Sequence, residues 1–309
     1  MSRRPRRPAD ALNNPAARRD DSELAEKIAG RRVVASVSGG KDSAALSLWL
    51  TEQGIEHDRV FADTGWEAAA TYDYLRGPLT RAIGPIEEVR AGETFVQLAI
   101  SRKGLPGSRT RFCTQALKII PQAERFARML AAGVDAISAT GIRAEESIER
   151  RSLREWENWA PENERGVVIC EIDQWRPLLN WKFQDVVDIH ARHGLAPNPL
   201  YLEGFSRVGC FPCINANKGE IALLARTHPE RIDAIRDLES RVAEISNADP
   251  KPAFFTLRDA TGKKHRTPID QVVDWARTDR GGKQWPLFTV DQPDIGCMRW
   301  GLCETAGTK

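Results

Sequence analysis

The residues best suited to chemistry form a short polar turn at 38–43, with the sequence Ser-Gly-Gly-Lys-Asp-Ser. An apolar run at 33–37 precedes this turn and a largely apolar run at 44–50 follows it, which predicts a strand, a glycine turn and a helix. A helix N-terminus presents unpaired backbone N–H groups, and its dipole favours an anion there. The two glycines let a ligand approach the backbone, while the lysine and serines add charge and hydroxyl donors. The turn therefore predicts a phosphate site.

This turn does not match the common phosphate-binding loop, in which four residues separate the two glycines. Its sequence instead resembles the pyrophosphatase loop of the adenine nucleotide α-hydrolase-like superfamily. The resemblance implies cleavage of ATP between the α and β phosphates, which leaves AMP on a substrate and releases pyrophosphate. A glycine turn without a ligand is the alternative, and the match of the whole turn disfavours it.

Alternating strands and helices place the turn at one edge of a predicted sheet. Strands are predicted at 33–37, 59–62, 86–89, 135–140 and 167–172, and helices at 21–29, 41–53, 68–76, 95–101, 113–131, 181–193, 220–226 and 229–245. This alternation predicts an α/β fold with a doubly wound, mostly parallel sheet. Ligands of such sheets bind at the carboxyl ends of the strands. Three polar segments that contain glycine fall at such ends, namely 38–43, 63–67 and 141–147.

The six cysteines favour metal binding or catalysis over a disulfide framework, because the chain has no signal peptide. Two residues separate Cys210 from Cys213 on a predicted turn, where Pro212 disfavours a helix. Cys170 lies in an apolar strand pattern and is predicted to be a core residue.

Several separate segments together resemble the phosphoadenosine phosphosulfate (PAPS) reductase-like family, and among its members those from DNA phosphorothioation systems. The resemblance covers about residues 33–213. Its parts, in chain order, are 38–43, 63–65, 111–113 with Lys118 and Pro121, 141–143 with Glu146, Ser147 and Arg150, then Pro177, Trp181, Asp185, 198–201 and 209–213.

The resemblance implies a nucleotide site at the strand ends, with Asp63 near the adenosine. Arg143, Glu146 and Arg150 would line the phosphate or sulfate, and Lys118 would be a further anion contact. A guanidinium suits this role because its planar fork pairs two donors with one oxyanion, although surface ion pairs are the alternative. Magnesium is expected with ATP, and Asp42 and Asp63 are its candidate ligands.

The predicted site has two groups of residues. Those expected to bind the nucleotide are Ser36, Ser38, Gly39, Gly40, Lys41, Asp42, Ser43, Asp63, Thr64, Gly65, Lys118, Gly141, Arg143, Glu146 and Arg150. Those expected to take part in catalysis are Lys41, Asp42 and Arg143.

The resemblance also brings Cys113 beside Cys210 and Cys213. Family members with an iron–sulfur cluster carry two adjacent cysteines upstream, whereas Thr114 stands at the second of these positions here. Cys297 or Cys303 would then complete a four-cysteine set. Such a set suits a 4Fe–4S cluster, with zinc as the alternative. The third alternative is that these cysteines bind no metal or cluster.

The leading functional hypothesis is an ATP pyrophosphatase that adenylates a substrate for sulfur transfer. The expected cofactors are ATP, Mg²⁺ and the 4Fe–4S cluster. The expected partners are nucleic acid, DNA rather than tRNA, and a sulfur donor such as a cysteine desulfurase. One alternative is a PAPS or adenylyl-sulfate reductase with a thiol donor, although the Glu-Cys-Gly-Leu-His segment of those enzymes is absent from the sequence. The other is a nucleotide-sensing or DNA-binding component without turnover.

The composition is that of a globular protein, with 41% hydrophobic and 28% charged residues among 309 and a net charge of +2. No apolar run approaches the roughly 18 residues of a membrane span, and the N-terminus lacks a signal peptide. We therefore expect a cytoplasmic protein that does not enter a membrane.

Three regions are predicted along the chain. Residues 1–20 form a basic tail that is expected to be disordered, and it either contacts nucleic acid or merely aids solubility. Residues 21–215 form the nucleotide-binding α/β domain. Residues 216–309 form a helical and irregular region that completes the cysteine site, with a hairpin at 254–262 and a helix at 268–276.

Overall fold

The computed structural model describes residues 21–107, 110–259, 261–278 and Trp300. Its strands are β1 (Arg32–Val37), β2 (His57–Asp63), β3 (Glu87–Arg90), β4 (Ala136–Thr140), β5 (Trp156–Trp159), β6 (Ile172–Trp175), β7 (Phe255–Arg258) and β8 (Lys264–Thr267). Six of them form one sheet in the order β3-β2-β1-β4-β6-β5, parallel throughout except for the pair β5–β6. This arrangement confirms the predicted α/β fold.

Helices connect the strands and cover both faces of the sheet. They are α1 (Asp21–Ile28), α2 (Lys41–Glu52), α3 (Ala69–Tyr74), α4 (Thr80–Ile83), α5 (Phe95–Ser101), α6 (Phe112–Thr114), α7 (Ile120–Ala131), α8 (Ile148–Arg151), α9 (Phe183–Arg192), α10 (Pro199–Leu202), α11 (Lys218–Thr227), α12 (Pro229–Ile245) and α13 (Ile269–Ala276). The strand order reverses between β1 and β4, and in sheets of this kind the crevice at such a reversal binds the ligand.

The central strands are buried on both faces, in agreement with their runs of valine and alanine. On one face, Leu46 and Leu50 of α2 pack with Ile189 of α9 against the sheet. On the other face, Phe126 of α7 packs with Val34 and other strand residues. Burial of these large side chains contributes roughly 1.5–3 kcal/mol each, and it fixes the strands whose ends carry the site.

A separate hydrophobic cluster joins α11, α12 and α13 to α5. Trp66 stacks on Phe95 with 5.0 Å between ring centroids, and Phe254 packs on both rings. The strands β7 and β8 form an antiparallel pair beside this cluster, which confirms the predicted hairpin. The predicted helix at 268–276 is also present, as α13.

Two predictions about secondary structure were wrong. The helix at 68–76 does not end at Gly77, because a π-helical turn at Leu75–Leu79 carries the chain through Pro78 into α4. The wider turn tolerates the missing N–H of the proline, while Leu75 and Leu79 are buried and hold the segment in place. The strand predicted at 167–172 begins only at Ile172.

The shift of that strand has a physical cause. Val167 and Val168 are 58% and 48% exposed, so their β-branched side chains do not face the core as the pattern indicated. The sequence analysis also missed β5, which pairs antiparallel with β6 and stacks Trp156 on Trp175 at 5.1 Å. An edge strand with one polar face gives a weak apolar pattern.

The predicted tail at 1–20 and the candidate ligands Cys297 and Cys303 lie outside the described residues. Among the residues that are described, no helix combines the length and the apolar character needed to cross a bilayer.

Candidate functional site

The turn at 38–43 links β1 to α2 and leaves a helix N-terminus open to a ligand. The first residue before the helix is Gly40, which has no side-chain cap. The nearest acceptors for the N–H groups of Gly40 and Lys41 are hydroxyl oxygens of Ser38 and Tyr201, at 3.4 and 3.3 Å. Ser43 braces the turn, since its hydroxyl donates to the Gly40 carbonyl at 2.9 Å. The backbone donors are therefore weakly engaged, as an anion site requires.

The glycines of the site are required by close packing. Gly39 has φ +71°, and a Cβ there would lie 2.9 Å from Thr71. A Cβ on Gly141 would lie only 2.4 Å from the backbone oxygen of Asp42. The end of β4 can approach the turn this closely only because residue 141 has no side chain. Gly141 therefore positions the turn rather than binding through a side chain.

Asp42 is held between two cations. Its Oδ1 accepts from Nε of Arg143 at 2.5 Å, and its Oδ2 lies 3.1 Å from Nζ of Lys41. Arg143 is only 3% exposed, and its other arm pairs with Glu145 at 2.7 Å. The structure thus brings together the three residues predicted to be catalytic. Both carboxylate oxygens of Asp42 face a cation, and its role as a magnesium ligand stays a prediction.

Arg150 interacts electrostatically with three other arginines near the turn. Burial lowers the pKa of Arg150, the positive charges of Arg207, Arg143 and Arg111 lower it further, and the charge of Asp42 acts in the opposite direction, so all these charges lie within electrostatic range of Arg150. Arg150 pairs with Glu146. Within the described residues, Arg111 and Arg207 form no ion pair. A group of cations with too few carboxylates is a site for a multiply charged anion such as phosphate or sulfate.

Asp63 and Glu67 form a second, carboxylate-rich part of the site at the end of β2. The hydroxyl of Tyr72 donates to Asp63 at 2.6 Å and to Glu67 at 3.2 Å, and Arg90 pairs with Asp63 at 2.5 Å. Burial and the hydrogen bond to Asp63 raise the pKa of Tyr72, which therefore stays protonated. Asp63 therefore has partners at both carboxylate oxygens, and its role as a magnesium ligand likewise stays a prediction.

The thiols lie beside these carboxylates. The Sγ atom of Cys210 is 3.8 Å from Oε1 of Glu67 and 3.7 Å from the hydroxyl of Thr64. Burial raises the pKa of Cys210, and it likewise raises the pKa of Cys113. Cys113 and Cys213 both interact electrostatically with Cys210, so the three thiols lie in one region of the molecule, and their assembly as ligands stays a prediction.

Lys118 lies at the thiols and not among the four arginines. Burial alone would lower its pKa, but the neighbouring Cys210 and Glu67 outweigh that effect and the pKa is raised. Its ammonium group therefore stays charged beside the sulfur of Cys210. An anion-binding role for Lys118 remains a prediction.

The described residues do not fit a metal centre by themselves. In the described part of the chain, no group of three His, Cys, Asp or Glu side chains is arranged to hold a metal ion. The Sγ atom of Cys210 also lies 3.8 Å from a carboxylate oxygen of Glu67, which occupies one side of this thiol. The cluster prediction therefore depends on Cys297 and Cys303, which lie outside the described residues.

The remaining predicted residues take supporting places. Ser36 lies on β1 and donates to Gln122 at 2.6 Å, while Thr64 donates to Glu67 at 2.8 Å. Gly65 has φ +66° and donates its N–H to Asp63 at 2.8 Å. Cys170 is buried in the core, as predicted, and burial raises its pKa to about 11.

Sequence reasoning did not single out Arg111, Arg207 or Glu67 as site residues. Their positions gave a signal, because Arg111 is two residues before Cys113 and Arg207 is three before Cys210. Residues 207–213 connect the two halves of the site, since Arg207 joins the arginines and Cys210 joins the thiols. The arginines and the thiols are thus joined by a segment of seven residues.

Comparison with known proteins matches more than half of this chain to one family of domains. Residues 32–216 match the model of the phosphoadenosine phosphosulfate reductase domain. An uncharacterized 37.8 kDa protein of Escherichia phage 186 is 30% identical, with 88% of this chain and 96% of the phage protein covered. An adenosine 5'-phosphosulfate reductase of Bacillus pumilus is 27% identical over 60% of this chain and 74% of that protein.

Among solved structures, the phosphoadenylyl-sulfate reductase of Candida auris in a phosphate complex is similar. It has a TM-score of 0.46 and 21% sequence identity, and the match covers 66% of this chain and 94% of that one.

Proposed function

Because this chain belongs to the phosphoadenosine phosphosulfate reductase domain family, we propose that it binds an adenylyl nucleotide on the turn at 38–43 and uses it in sulfur chemistry. ATP is the proposed nucleotide, and the proposed reaction adenylates an acceptor so that sulfur can replace one of its oxygens. The sequence of the turn, which resembles the pyrophosphatase loop, supports ATP as the nucleotide.

One observation carries this proposal. The open N-terminus of α2, Lys41 and four arginines converge at the reversal of strand order, and the thiols adjoin them through residues 207–213. The backbone donors and guanidinium groups supply fixed positive charge for a phosphate chain. Such preorganised charge stabilises a transition state in which negative charge moves onto a leaving phosphate.

The proposed reaction consists of an adenylation followed by a displacement by sulfur. An oxygen of the acceptor attacks the α-phosphorus of ATP, the bond to the α–β bridging oxygen breaks, and pyrophosphate leaves with the electron pair. A backbone phosphate oxygen is already anionic, so no proton is released in this step. A thiol reductant then frees hydrosulfide from the persulfide of the donor and is itself oxidised to a disulfide. The hydrosulfide attacks the activated atom of the acceptor, and AMP leaves with the acceptor oxygen and the electron pair. In this scheme Arg143 and Lys41 hold the phosphates, and Asp42 orients both cations.

The proposed sulfur donor is an external protein such as a cysteine desulfurase, and the proposed acceptor is nucleic acid, as the resemblance to phosphorothioation proteins implies. If ATP brings Mg²⁺, the phosphates and one or two carboxylates would hold the ion, and Asp42 and Asp63 stay the candidates; the ion would supply positive charge for the leaving pyrophosphate. The thiols would receive or position the sulfur.

The test is a product analysis with ATP labelled in the α and γ phosphates. We expect AMP and pyrophosphate, in amounts that depend on the acceptor and donor. Lys41→Ala should remove the products, whereas Lys27→Ala, on the exposed face of α1 and paired with Glu23, should not. Formation of ADP and phosphate alone, or tight ATP binding without any turnover when acceptor and donor are present, would reject the proposal.

Reduction of a sulfonucleotide is the second candidate. It is favoured by the relatives named adenosine 5'-phosphosulfate reductase, two of which are 27% identical over 60% of this chain. A thiol would attack the sulfate sulfur, and a thiol donor such as thioredoxin would reduce the resulting thiosulfonate and release sulfite. Sulfite formed from adenylyl sulfate or PAPS, and lost in Cys303→Ser, would support this reaction. Its absence with both substrates would remove it.

A further inference from the structure

The hairpin β7–β8 carries an unusual concentration of positive charge. Between Phe255 and Thr267 the sequence contains four Lys or Arg residues and one carboxylate, Asp259. This carboxylate is already paired with His265 at 2.5 Å. The hairpin lies beyond the region 32–216 that matches the family model, so membership of the family does not account for its charge.

Three of the positive residues, Arg258, Lys264 and Arg266, lie on one face of the hairpin. The register pairs Thr256 with Arg266 and Arg258 with Lys264, so these four side chains project from the same side. Arg258 and Lys264 are exposed and stand directly opposite each other. Like charges in this position destabilise a strand pair unless an anion lies between or above them.

No carboxylate within the described residues neutralises this face. Arg258 donates to the carbonyl of Gly262 at 2.8 Å, and Lys264 has no ion pair in the described part of the chain. Arg266 donates to the carbonyls of Leu105, Pro106 and Ala253 at 2.9–3.2 Å, and so ties the hairpin to the loop before Gly107. Arg266 is structural, whereas Arg258 and Lys264 remain available to a partner.

The face lines two adjoining clefts, which share Gly107, Thr256, Arg258 and Lys264. One, of about 390 Å³, runs between the hairpin and Thr110, the neighbour of Arg111. The other, of about 340 Å³, runs between the hairpin and Ile214, the neighbour of Cys213. The aromatic ring of Trp275 lines the second one.

We propose that this basic face binds the backbone of a single nucleic-acid strand and directs it towards the arginines and thiols of the site. Basic grooves follow a phosphate backbone, and an aromatic ring beside them provides a surface on which a base can stack. A single strand exposes its bases to such a ring, whereas the bases of a duplex are stacked on one another inside it. The role of the strand as acceptor rests on the proposed function, but its binding does not.

The experiment measures binding of the full chain, without ATP, to labelled single strands of about 16 nucleotides, a length that one domain can occupy. The test variant is Arg258→Gln with Lys264→Gln, and the matched control is Arg81→Gln with Arg128→Gln. The control arginines are exposed on α4 and α7, outside both clefts. Circular dichroism and thermal unfolding check that each variant is folded.

We expect the hairpin variant to bind roughly tenfold more weakly at moderate salt, and the control to match the unchanged chain. The slope of log affinity against log salt should become about 1.4 shallower, because each lost phosphate contact contributes about 0.7 for a single strand. Equal affinities for the two variants, or equal binding of a duplex of the same sequence, would overturn the proposal. DNA and RNA strands are compared in parallel to identify the sugar that is preferred.

This design separates the two proposals. Strand binding that depends on the hairpin, together with no pyrophosphate release, would reject the proposed reaction and keep the binding face. Pyrophosphate release with an acceptor that is not a nucleic acid, together with no strand binding, would do the reverse.

Discussion

Arginines lie at both edges of the sheet, but two of them pair with carboxylates at one edge, and two lack such partners within the described residues at the other. At the amino ends of the strands, Arg32 pairs with Asp58 at 2.5 Å, and Arg125 pairs with Asp58 at 3.1 Å and with Glu87 at 2.6 Å. At the carboxyl ends, Arg111 and Arg207 form no ion pair within the described residues, and they lie beside Arg150. The two arginines at the amino ends are thus paired with neighbouring carboxylates. The two at the carboxyl ends are available to a bound anion.

The comparison shows that cavity size does not locate this site. A cavity of about 660 Å³ lies at the amino edge, lined by residues such as Arg32, Asp58 and Arg125. Arg32 and Arg125 are paired with carboxylates of the same cavity, and Arg59 donates to Ser47 and to the carbonyl of His57, so each of these arginines already has a partner. The excess of unpaired cations, rather than volume, distinguishes the edge that binds nucleotide in our proposal.

The largest expected effect comes from filling the space between β4 and the turn. Gly141→Ala places a Cβ 2.4 Å from the oxygen of Asp42, so the turn must move. A displacement of about 1 Å can cost roughly 10²-fold in turnover, and we expect a loss of that size in pyrophosphate release. Gly92→Ala is the matched control, since a Cβ there has no neighbour within 4 Å. If both variants keep full activity, the turn is not the nucleotide site.

The second prediction exchanges one arginine at each edge. Arg143→Gln should weaken nucleotide binding by about 2 kcal/mol, the loss of a charge-assisted hydrogen bond. Arg125→Gln should leave nucleotide affinity unchanged but lower the free energy of unfolding by about 2 kcal/mol, because it strips Asp58 and Glu87 of a partner. Calorimetric titration and urea unfolding of both variants measure the two effects. Equal losses of affinity would erase the distinction between the edges.

A smaller effect is expected at the rim of the anion site. Arg207 is exposed, so Arg207→Gln should weaken nucleotide binding only about fivefold, in line with roughly 1 kcal/mol for an exposed ion pair. The loss should shrink as salt is added, because exposed charges are screened. Arg151→Gln, an exposed change on α8, is the control. An affinity that is independent of Arg207 would remove it from the site.

The smallest effect concerns pH at the amino edge. Burial alone would raise the pKa of Asp58, but hydrogen bonds from Arg32 and Arg125 outweigh it and hold the pKa below its ordinary value of 3.8. The charged carboxylate therefore adds stability above pH 3.8, and that contribution is lost as the pH falls through the lowered pKa. Asp58→Asn should cost about 1 kcal/mol at pH 7 and progressively less on acidification. A deficit that stays constant down to the acid transition would contradict this account.

Local patterns were sufficient for the elements that carry the site. The turn at 38–43, the helix after it and the hairpin near 255 follow from glycine placement and apolar spacing, which act over a few residues. The patterns failed where long-range packing overrides them. Burial of Leu75 and Leu79 extends a helix through Pro78, and exposure of Val167 delays a strand.

The sequence by itself determined the α/β class, the open helix N-terminus behind two glycines and the paired spacing of Cys210 and Cys213, since each is a property of neighbouring residues. Only the tertiary structure decided that Arg111, Arg150 and Arg207 converge and that Glu67 faces Cys210. These residues are separated by tens of residues or more along the chain. Their approach depends on how the sheet and helices pack, and no local pattern encodes such a distance.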